Sequence, residues 1–426
     1  MRSMWRVQIG FFVYGCLLAF AQSPAPPPQT TMTWQQVKDK FEADNPNLRA
    51  GQLNIQESKA DEITAYLRPN PDMTAGVDQI QPFPAPAAPY RPFGYLFPLL
   101  AFDYLHERQH KRELRLESAQ GATTIAESQQ LDLERTLLFN LRSAFVQTLQ
   151  AKALLANAKE NLDYFDKELS INRVRFKAGD IARMDLDRLV LQRVQYESDY
   201  QTALVTSRTA KITLLLLLNS RTPVDQFDVT GPFEFQDQVV PLDEFHTAAL
   251  AARPDLKAAV ETVDKAVVDH KLAVANGSTD PTFGVDFGRN PPITIYVGVS
   301  VNIPLRIFDK NQGEKARTEI DISHAQRQKD AAEAQVFSDV DSAYYTLVSS
   351  VNLLRPYKGT DGYLDTAVRI RDSMSFAYQR GQAALLDYLD AQRDYRATEV
   401  AYINLVGSYL TAAGQLNEAV GREMVQ

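Results

Sequence analysis

Two hydrophobic periods alternate along the chain. From Glu107 to Lys177 there is no proline and a single glycine, Gly121, and Ala, Leu, Glu, Gln and Arg dominate. These are the strong helix formers. Leu131, Leu138, Phe145 and Leu149 recur at helical steps with charges between them, so the pattern predicts one helix of about 70 residues, roughly 105 Å long. A helix of that length outgrows a compact domain and has to lie along other helices, as in a coiled coil. Lys315 to Leu354, Thr366 to Arg380 and Ala384 to Ala419 carry the same pattern, with Pro356, Gly359 and Gly362 marking a break between the first two. Pro356 cannot continue a regular helix.

The second period is two. Phe283, Val285 and Phe287 alternate with Thr282, Gly284, Asp286 and Gly288. After Arg289-Asn290-Pro291-Pro292, the odd positions from Ile293 to Ile303 are apolar while Thr294, Tyr296, Gly298, Ser300 and Asn302 are polar or small. This alternation predicts a hairpin with strands at 281–288 and 293–304. Its length suits a tilted membrane-crossing strand, and it equally suits a hairpin lying on a soluble core. A fainter version, with strands at 72–79 and 91–98, places Met73, Ala75 and Val77 opposite Thr74, Gly76 and Asp78, then Phe93, Tyr95 and Phe97. The proline-rich stretch Gln81 to Pro92 reads as a longer exposed loop. Two hairpins provide four strands, too few to close a barrel. In lipid their open edges would force oligomerisation, to eight strands from two chains or twelve from three.

The two sets of elements repeat. At an offset of 206, Pro98 meets Pro304, Phe102-Asp103 meets Phe308-Asp309 and Glu113 meets Glu319. Further on, Phe176 to Asp185 (FKAGDIARMD) meets Tyr378 to Asp387 (YQRGQAALLD), with Gly179 and Gly381 in register. The expected organisation is a signal segment at 1–21, a first repeat at 22–220 with its tip at 179, a connecting segment at 221–245, and a second repeat at 246–426 with its tip at 381. A period of this size makes each half a whole structural unit rather than a solenoid turn.

The N-terminus changes the picture of compartment. Arg2 and Arg6 precede an apolar run from Val7 to Ala21 that ends in Ala19-Phe20-Ala21. That is the pattern of a cleaved export signal, and the run is too short to span a bilayer. Val13-Tyr14-Gly15-Cys16 also resembles a lipobox that would place lipid on Cys16. Bulky Tyr14 and the apolar run continuing past the cysteine argue against it. Without Arg2 and Arg6 the chain holds 43 basic and 53 acidic residues. No basic block with interleaved aromatics occurs, which argues against nucleic acid as a partner. No later segment is apolar enough for a transmembrane helix.

One motif suggests catalysis. His106-Glu107-Arg108-Gln109-His110 fits H-E-x-x-H, in which two imidazoles one helical turn apart bind zinc and the glutamate acts as base. A zinc metallopeptidase is therefore one alternative, and a soluble coiled-coil scaffold is another. The charged surroundings speak against zinc, and the second repeat has no histidine at the matching place, Gln312 to Ala316. The expected protein is not an enzyme and has no cofactor.

The ordered set of segments resembles the TolC-like outer membrane efflux protein family. Ala252-Arg253-Pro254-Asp255-Leu256 is similar to that family's helix start before the second hairpin. Tyr378 to Gly381 with Leu386 to Gln392 is similar to its second helical tip, and Leu416 to Gly421 to the close of its last helix. The resemblance implies a mainly α fold with a small β part. Long antiparallel helical hairpins would form an α-barrel tunnel, and four transmembrane strands per chain would complete a trimeric 12-stranded β-barrel. It implies an outer-membrane location reaching into the periplasm, and a passive conduit in a tripartite efflux pump or type I secretion system. The implied partners are a periplasmic adaptor, an inner-membrane transporter, outer-membrane lipid and two further copies of the chain. Carried over position by position, Asp387 and Asp390 become carboxylates of a closed aperture, Tyr378 and Asp185 partners in the network holding it shut, Gly179 and Gly381 the tip turns, and Pro98 and Pro304 the strand-to-helix transitions. Ala383 stands where the family's best-known member has arginine, so Arg183 or Arg380 is the expected substitute.

Overall fold

A computed structural model describes residues 30–425 except 79, 81, 85, 87, 88, 91, 94, 95, 238–240, 291 and 292. The signal segment and Cys16 lie outside the described residues, as do Gln81, Tyr95, Pro291 and Pro292.

The chain starts with a short strand, β1 (Thr30–Met32), which pairs in parallel with β4 (Phe227–Val229). Helix α1 (Trp34–Asp44) begins with a reciprocal cap between Thr33 and Gln36, which satisfies two backbone donors at once. Helix α2 (Pro46–Tyr66) follows at Asn45-Pro46, with proline at the first turn, where its missing N–H costs nothing. The same pair of helices recurs as α5 (Leu242–Ala252) and α6 (Pro254–Asn276), divided at Arg253-Pro254.

The residue before each proline ties its half together. Asn45 Nδ2 donates to the carbonyl of Leu217 (3.2 Å), and Arg253 Nη1 donates to that of Ala419 (3.2 Å). Each thereby caps the C-terminus of its half's last helix, α4 (Arg183–Leu217) or α9 (Leu385–Val420). Buried Arg253 also binds Asp255 and Asp339.

Four strands form one antiparallel sheet in the order β2 (Asp72–Asp78), β3 (Phe97–Leu105), β5 (Thr282–Asn290), β6 (Ile293–Asn302). Register lines up Met73, Phe102, Val285 and Val299 in one cross-strand row, and Ala75, Leu100, Phe287 and Val297 in the next. This face is apolar and uncovered: Met73 is 65% exposed and Val299 85%. Asp72, Asp103, Gly284 and Ser300 form a row on the opposite face, followed by Thr74, Ala101, Asp286 and Gly298.

The strand expected at 91–98 therefore starts six residues later and ends seven later. Pro98 is inside β3, opposite Val77, and the strand-to-helix transition assigned to it is corrected to His106–His110. Proline is tolerated there because it is the second residue of the strand, near its end. Pro304 lies between β6 and the next helix, beyond the end of the strand at Asn302.

Helix α3 (Lys111–Ala178) runs for 68 residues, about 100 Å. Its counterpart is divided into α7 (Gln312–Leu354) and α8 (Tyr363–Gln379) around Pro356. His110 and Asn311, which precede α3 and α7, both have left-handed backbone, with φ of 55° and 61°. Glu113 thus corresponds to Glu314 and not, as the 206 offset has it, to Glu319.

Near the sheet the helices lie side by side in the order α2, α3, α6, α7; farther away the order is α4, α3, α9, α8. Among the described residues, three apolar clusters hold this layer. One lies among α5, α7 and α9 around Phe245, Leu347 and Tyr409. Another gathers Phe41, Leu141 and Leu214 under α1 and β1. The third sits beside the turns at Gly179 and Gly381.

Candidate functional site

Helical hairpin α3–α4 turns at Gly179 and hairpin α8–α9 at Gly381. Their φ values of 85° and 71° suit glycine, which has no Cβ to clash. Each turn closes with paired backbone bonds: Gly179 N to Phe176 O and Asp180 N to Arg175 O, then Gly381 N to Tyr378 O and Gln382 N to Ala377 O. The Gly381 turn is followed by Ala384 and the first turn of α9, which carries Asp387.

The two tips are joined by buried polar contacts and aromatic stacking. Tyr378 Oη donates to Asn172 Oδ1 at 3.0 Å, and Asn172 Nδ2 donates to the Glu168 carbonyl at 2.9 Å. Gln379 Nε2 donates to Glu168 Oε1 at 3.3 Å. The Tyr378 ring stacks on fully buried Tyr388 at 5.0 Å, and Phe165 stacks on Tyr196 at 4.4 Å. Such offset stacks add to what burial alone contributes.

Burial pushes the Glu168 carboxyl above its ordinary value, against the opposing pull of the Gln379 hydrogen bond and the Arg175 charge. Its Oε2 is buried without a hydrogen-bond partner. Burial likewise raises the Tyr378 hydroxyl; Arg175 opposes that shift, while Asp185 and Glu168 add to it.

Tyr378 and Asp185, both expected in the closing network, are not hydrogen-bonded to each other within the chain, where Tyr378 bonds Asn172. Asp185 lines the cleft between the tips, of about 380 Å³, together with Asp180, Arg188, Tyr378, Ala383 and Leu386. Asn172 and Glu168 were missed because each stands alone in a long helix without a motif. The available signal was their place near the Gly179 turn, polar residues on the face that also carries Phe165 and Leu169.

Asp387 and Asp390 lie off the buried face of α9, which is formed by Leu385, Tyr388, Ala391 and Tyr395. Spaced three apart they share one side of the helix. Asp387 is exposed, and half-exposed Asp390 pairs with Arg393 at 3.1 Å. Arg183 pairs with Asp187 at 3.1 Å and lies over Phe176, while Arg380 lies over Phe376.

The zinc-like motif does not form a zinc site. His106 to His110 precede α3 and are not helical; Gln109 and His110 are both left-handed. The histidines therefore lack the one-turn helical spacing on which the H-E-x-x-H motif depends. Glu107 forms a bidentate pair with Arg115, its Oε2 at 2.8 Å from Nη2, and the His106 ring edges onto Phe283. No group of three metal-ligating side chains occurs among the described residues.

No helix among the described residues is long and apolar enough to cross a membrane. The exposed apolar face of the sheet is the surface suited to lipid. The family described as Outer membrane efflux protein matches residues 247–422. The cobalt-zinc-cadmium resistance protein CzcC of Cupriavidus metallidurans is 22% identical over 335 residues, covering 73% of this chain and 74% of CzcC. The outer membrane efflux protein BepC of Brucella suis is 22% identical over 300 residues, covering 68% of this chain but only 64% of BepC. The crystal structure of the CmeC outer membrane channel of Campylobacter jejuni superposes with a TM-score of 0.73 at 15% identity, over 98% of this chain and 94% of that one. The second half of the chain thus matches the outer membrane efflux protein family, and the whole chain shares the fold of the outer-membrane efflux channels.

The match and the shared fold decide between the two readings of the hairpins that the alternation left open. The sheet belongs to an outer-membrane barrel, and the helices extend from it into the periplasm. The comparisons give no support to the soluble-scaffold and peptidase alternatives.

Proposed function

We propose that the protein is the outer-membrane conduit of a tripartite efflux pump or type I secretion machine, working as a homotrimer with a periplasmic adaptor and an inner-membrane transporter. The observation that carries the trimer is that all open edges fall on two sides of the chain. One side presents β2, α2 and α4, and the other β6, α7 and α8. A heterologous contact of this kind generates a closed ring when the rotation closes. Three copies would join β6 to the next β2, giving twelve strands without a free edge, as lipid demands.

The helical edges support the same contact. On α4, Met184, Leu191, Val205 and Ile212 fall on a seven-residue repeat, and all are exposed, Leu191 by 72%. On α8, Tyr363 and Ile370 are exposed at the same spacing, with Met374 beside them. Heptad-spaced apolar residues form a coiled-coil seam, so the exposed stripe on α4 fits the α8 stripe of the next copy.

At the far end, three copies bring the pairs Asp387 and Asp390 together around the axis as a cation-selective constriction. Tyr378, Asn172 and Glu168 hold the two hairpins of each copy against one another. With alanine at 383, Arg183 and Arg380 supply the tip cations. Residues 22–220 and 246–426 act as the two repeats, each contributing one strand hairpin and one helical hairpin. The cargo is selected upstream by the transporter.

Planar-bilayer recording tests this reading. Wild-type protein is expected to give small cation-selective steps, and Asp387→Asn with Asp390→Asn to lose that selectivity. Arg183→Ala and Arg380→Ala together are expected to raise closed-state conductance. Anion-selective steps from wild type, or selectivity unchanged in the double aspartate variant, would remove the aspartates from the aperture. Absence of any steps would remove the conduit.

A further inference from the structure

The polar face of the sheet has a feature that the conduit reading leaves unused. Three of its side chains each lie across a glycine that is their direct cross-strand partner. Tyr296 is opposite Gly288, Asp286 opposite Gly298, and Asp103 opposite Gly284. A Cβ built on Gly288 would sit 2.6 Å from Tyr296 Cε1 and 2.7 Å from its Oη, so the ring lies flat over the bare backbone. One on Gly298 would meet Asp286 Oδ1 and come within 2.8 Å of Oδ2, and one on Gly284 would meet the Ser300 hydroxyl on one side and lie 2.5 Å from Asp103 Oδ1 on the other. Real Cβ atoms essentially never approach other atoms closer than 3.0 Å. The Tyr296 ring is held further by stacking on Phe97, at 5.7 Å and 23°.

Two other glycines set the contrast. Gly76 lies on the same face in β2, and a Cβ there would meet nothing within 4 Å. At Gly362 the obstacle would be the backbone, with the Tyr357 carbonyl oxygen at 2.6 Å. A side chain there would strain the fold. At Gly288, Gly298 and Gly284 the obstacle is the end of a movable side chain, which can swing away from the sheet. These three positions therefore tolerate alanine as folded protein, and what alanine changes is the direction of the neighbouring side chain.

We propose that Gly284, Gly288 and Gly298 are recesses that hold Asp103, Tyr296 and Asp286 flat against the barrel wall, and so set the width of the outer-membrane bore and the size of solute that passes. The inference rests on the conduit reading, in which the polar face lines the bore. Filling a recess lifts its partner toward the axis in every copy of the ring. Large solutes then lose clearance first at the Tyr296 level, where the displaced group is largest.

The assembled protein in planar bilayers provides the test, with polyethylene glycols of increasing size added on the extracellular side only. The measured quantity is the largest polymer that still enters and lowers conductance. Gly288→Ala is expected to shift that cut-off to smaller polymers, Gly76→Ala to leave it at the wild-type value, and Gly288→Ala with Tyr296→Ala to restore or exceed it. A Gly288→Ala cut-off equal to wild type overturns the proposal. So does an equal shift in Gly76→Ala.

A second measurement separates this proposal from the conduit itself. Tetranitromethane nitration of Tyr296, followed by peptide mass spectrometry, requires no conduction. Its rate is expected to rise several-fold in Gly288→Ala and to stay unchanged in Gly76→Ala. An unchanged rate in Gly288→Ala overturns the recess whether or not the protein conducts. A raised rate in a protein that gives no conductance steps retains the recess geometry, and rejects both the conduit and the bore role assigned here.

Discussion

Helix α3 meets its neighbours by different chemistry at its two ends. Near the sheet, Ser118 donates to Asp269 at 2.5 Å, Thr123 to Glu62 at 2.5 Å and Ser128 to Glu261 at 2.7 Å. Across the same layer, the imidazole of His270 lies 2.9 Å from the hydroxyl of Thr318. At the tip, α3 instead offers Leu162, Phe165 and Leu169 to Leu189, Tyr196, Leu385 and Tyr388. Small hydroxyl residues let helices approach closely and fix which carboxylate each one meets, while giving about 1.5 kcal/mol per bond where the carboxylate keeps access to water. Buried rings and leucines contribute more, about 2–5 kcal/mol each. The sheet-proximal layer is thus specified in register but weakly held, and relies on the sheet beside it. The tip has no sheet to support it and depends on its own packing.

The largest effect expected from this contrast is that of Tyr388→Ala. Removing a fully buried ring costs about 3–5 kcal/mol, and the loss should stay at the tip. Hydrogen exchange would then speed up across the turns at Gly179 and Gly381 and stay unchanged in β3 and β5. Uniformly faster exchange would show that tip and sheet-proximal layer are one cooperative unit.

Glu168→Gln should give a smaller, pH-dependent effect. Burial raises the Glu168 carboxyl above 4.5, so the packed tip favours the protonated acid. Its contribution is complete below the ordinary glutamate range and is lost as pH rises through the raised value. At neutral pH the glutamine variant should therefore show slower exchange at the tip than wild type, with the two converging in acid. Faster exchange in the variant at neutral pH would reverse the sign.

Smallest is Thr123→Val, with a loss of about 1.5 kcal/mol, because Glu62 keeps partial access to water. Denaturant unfolding of the assembled protein would measure it. A loss as large as that of Tyr388→Ala would erase the distinction between the two ends.

What the sequence made legible follows the strength of each local signal. The helices predicted from period and composition occur within a few residues of their expected ends, because Pro356, Gly359, Gly362, Gly381 and Gly421 punctuate them. The hairpin of β5 and β6 was equally plain, because its inward positions are small or polar. Strand β3 was misplaced because Leu99 and Leu100 are adjacent and both apolar, which hides the alternation, and because Pro98 invited a match to Pro304. At the tip, the turn glycines and Tyr378 stood out through local motif. Their partners Asn172 and Glu168 are about 200 positions away in sequence, and only the packing of α3 against α8 and α9 brings them together.

The central claim is that β2 of one chain completes the sheet beyond β6 of the next until three chains close a barrel. Native mass spectrometry of the detergent-extracted outer-membrane particle tests it most directly. The account predicts a particle of three chains and no free monomer in that fraction. A folded monomer recovered from the soluble periplasmic fraction would contradict it.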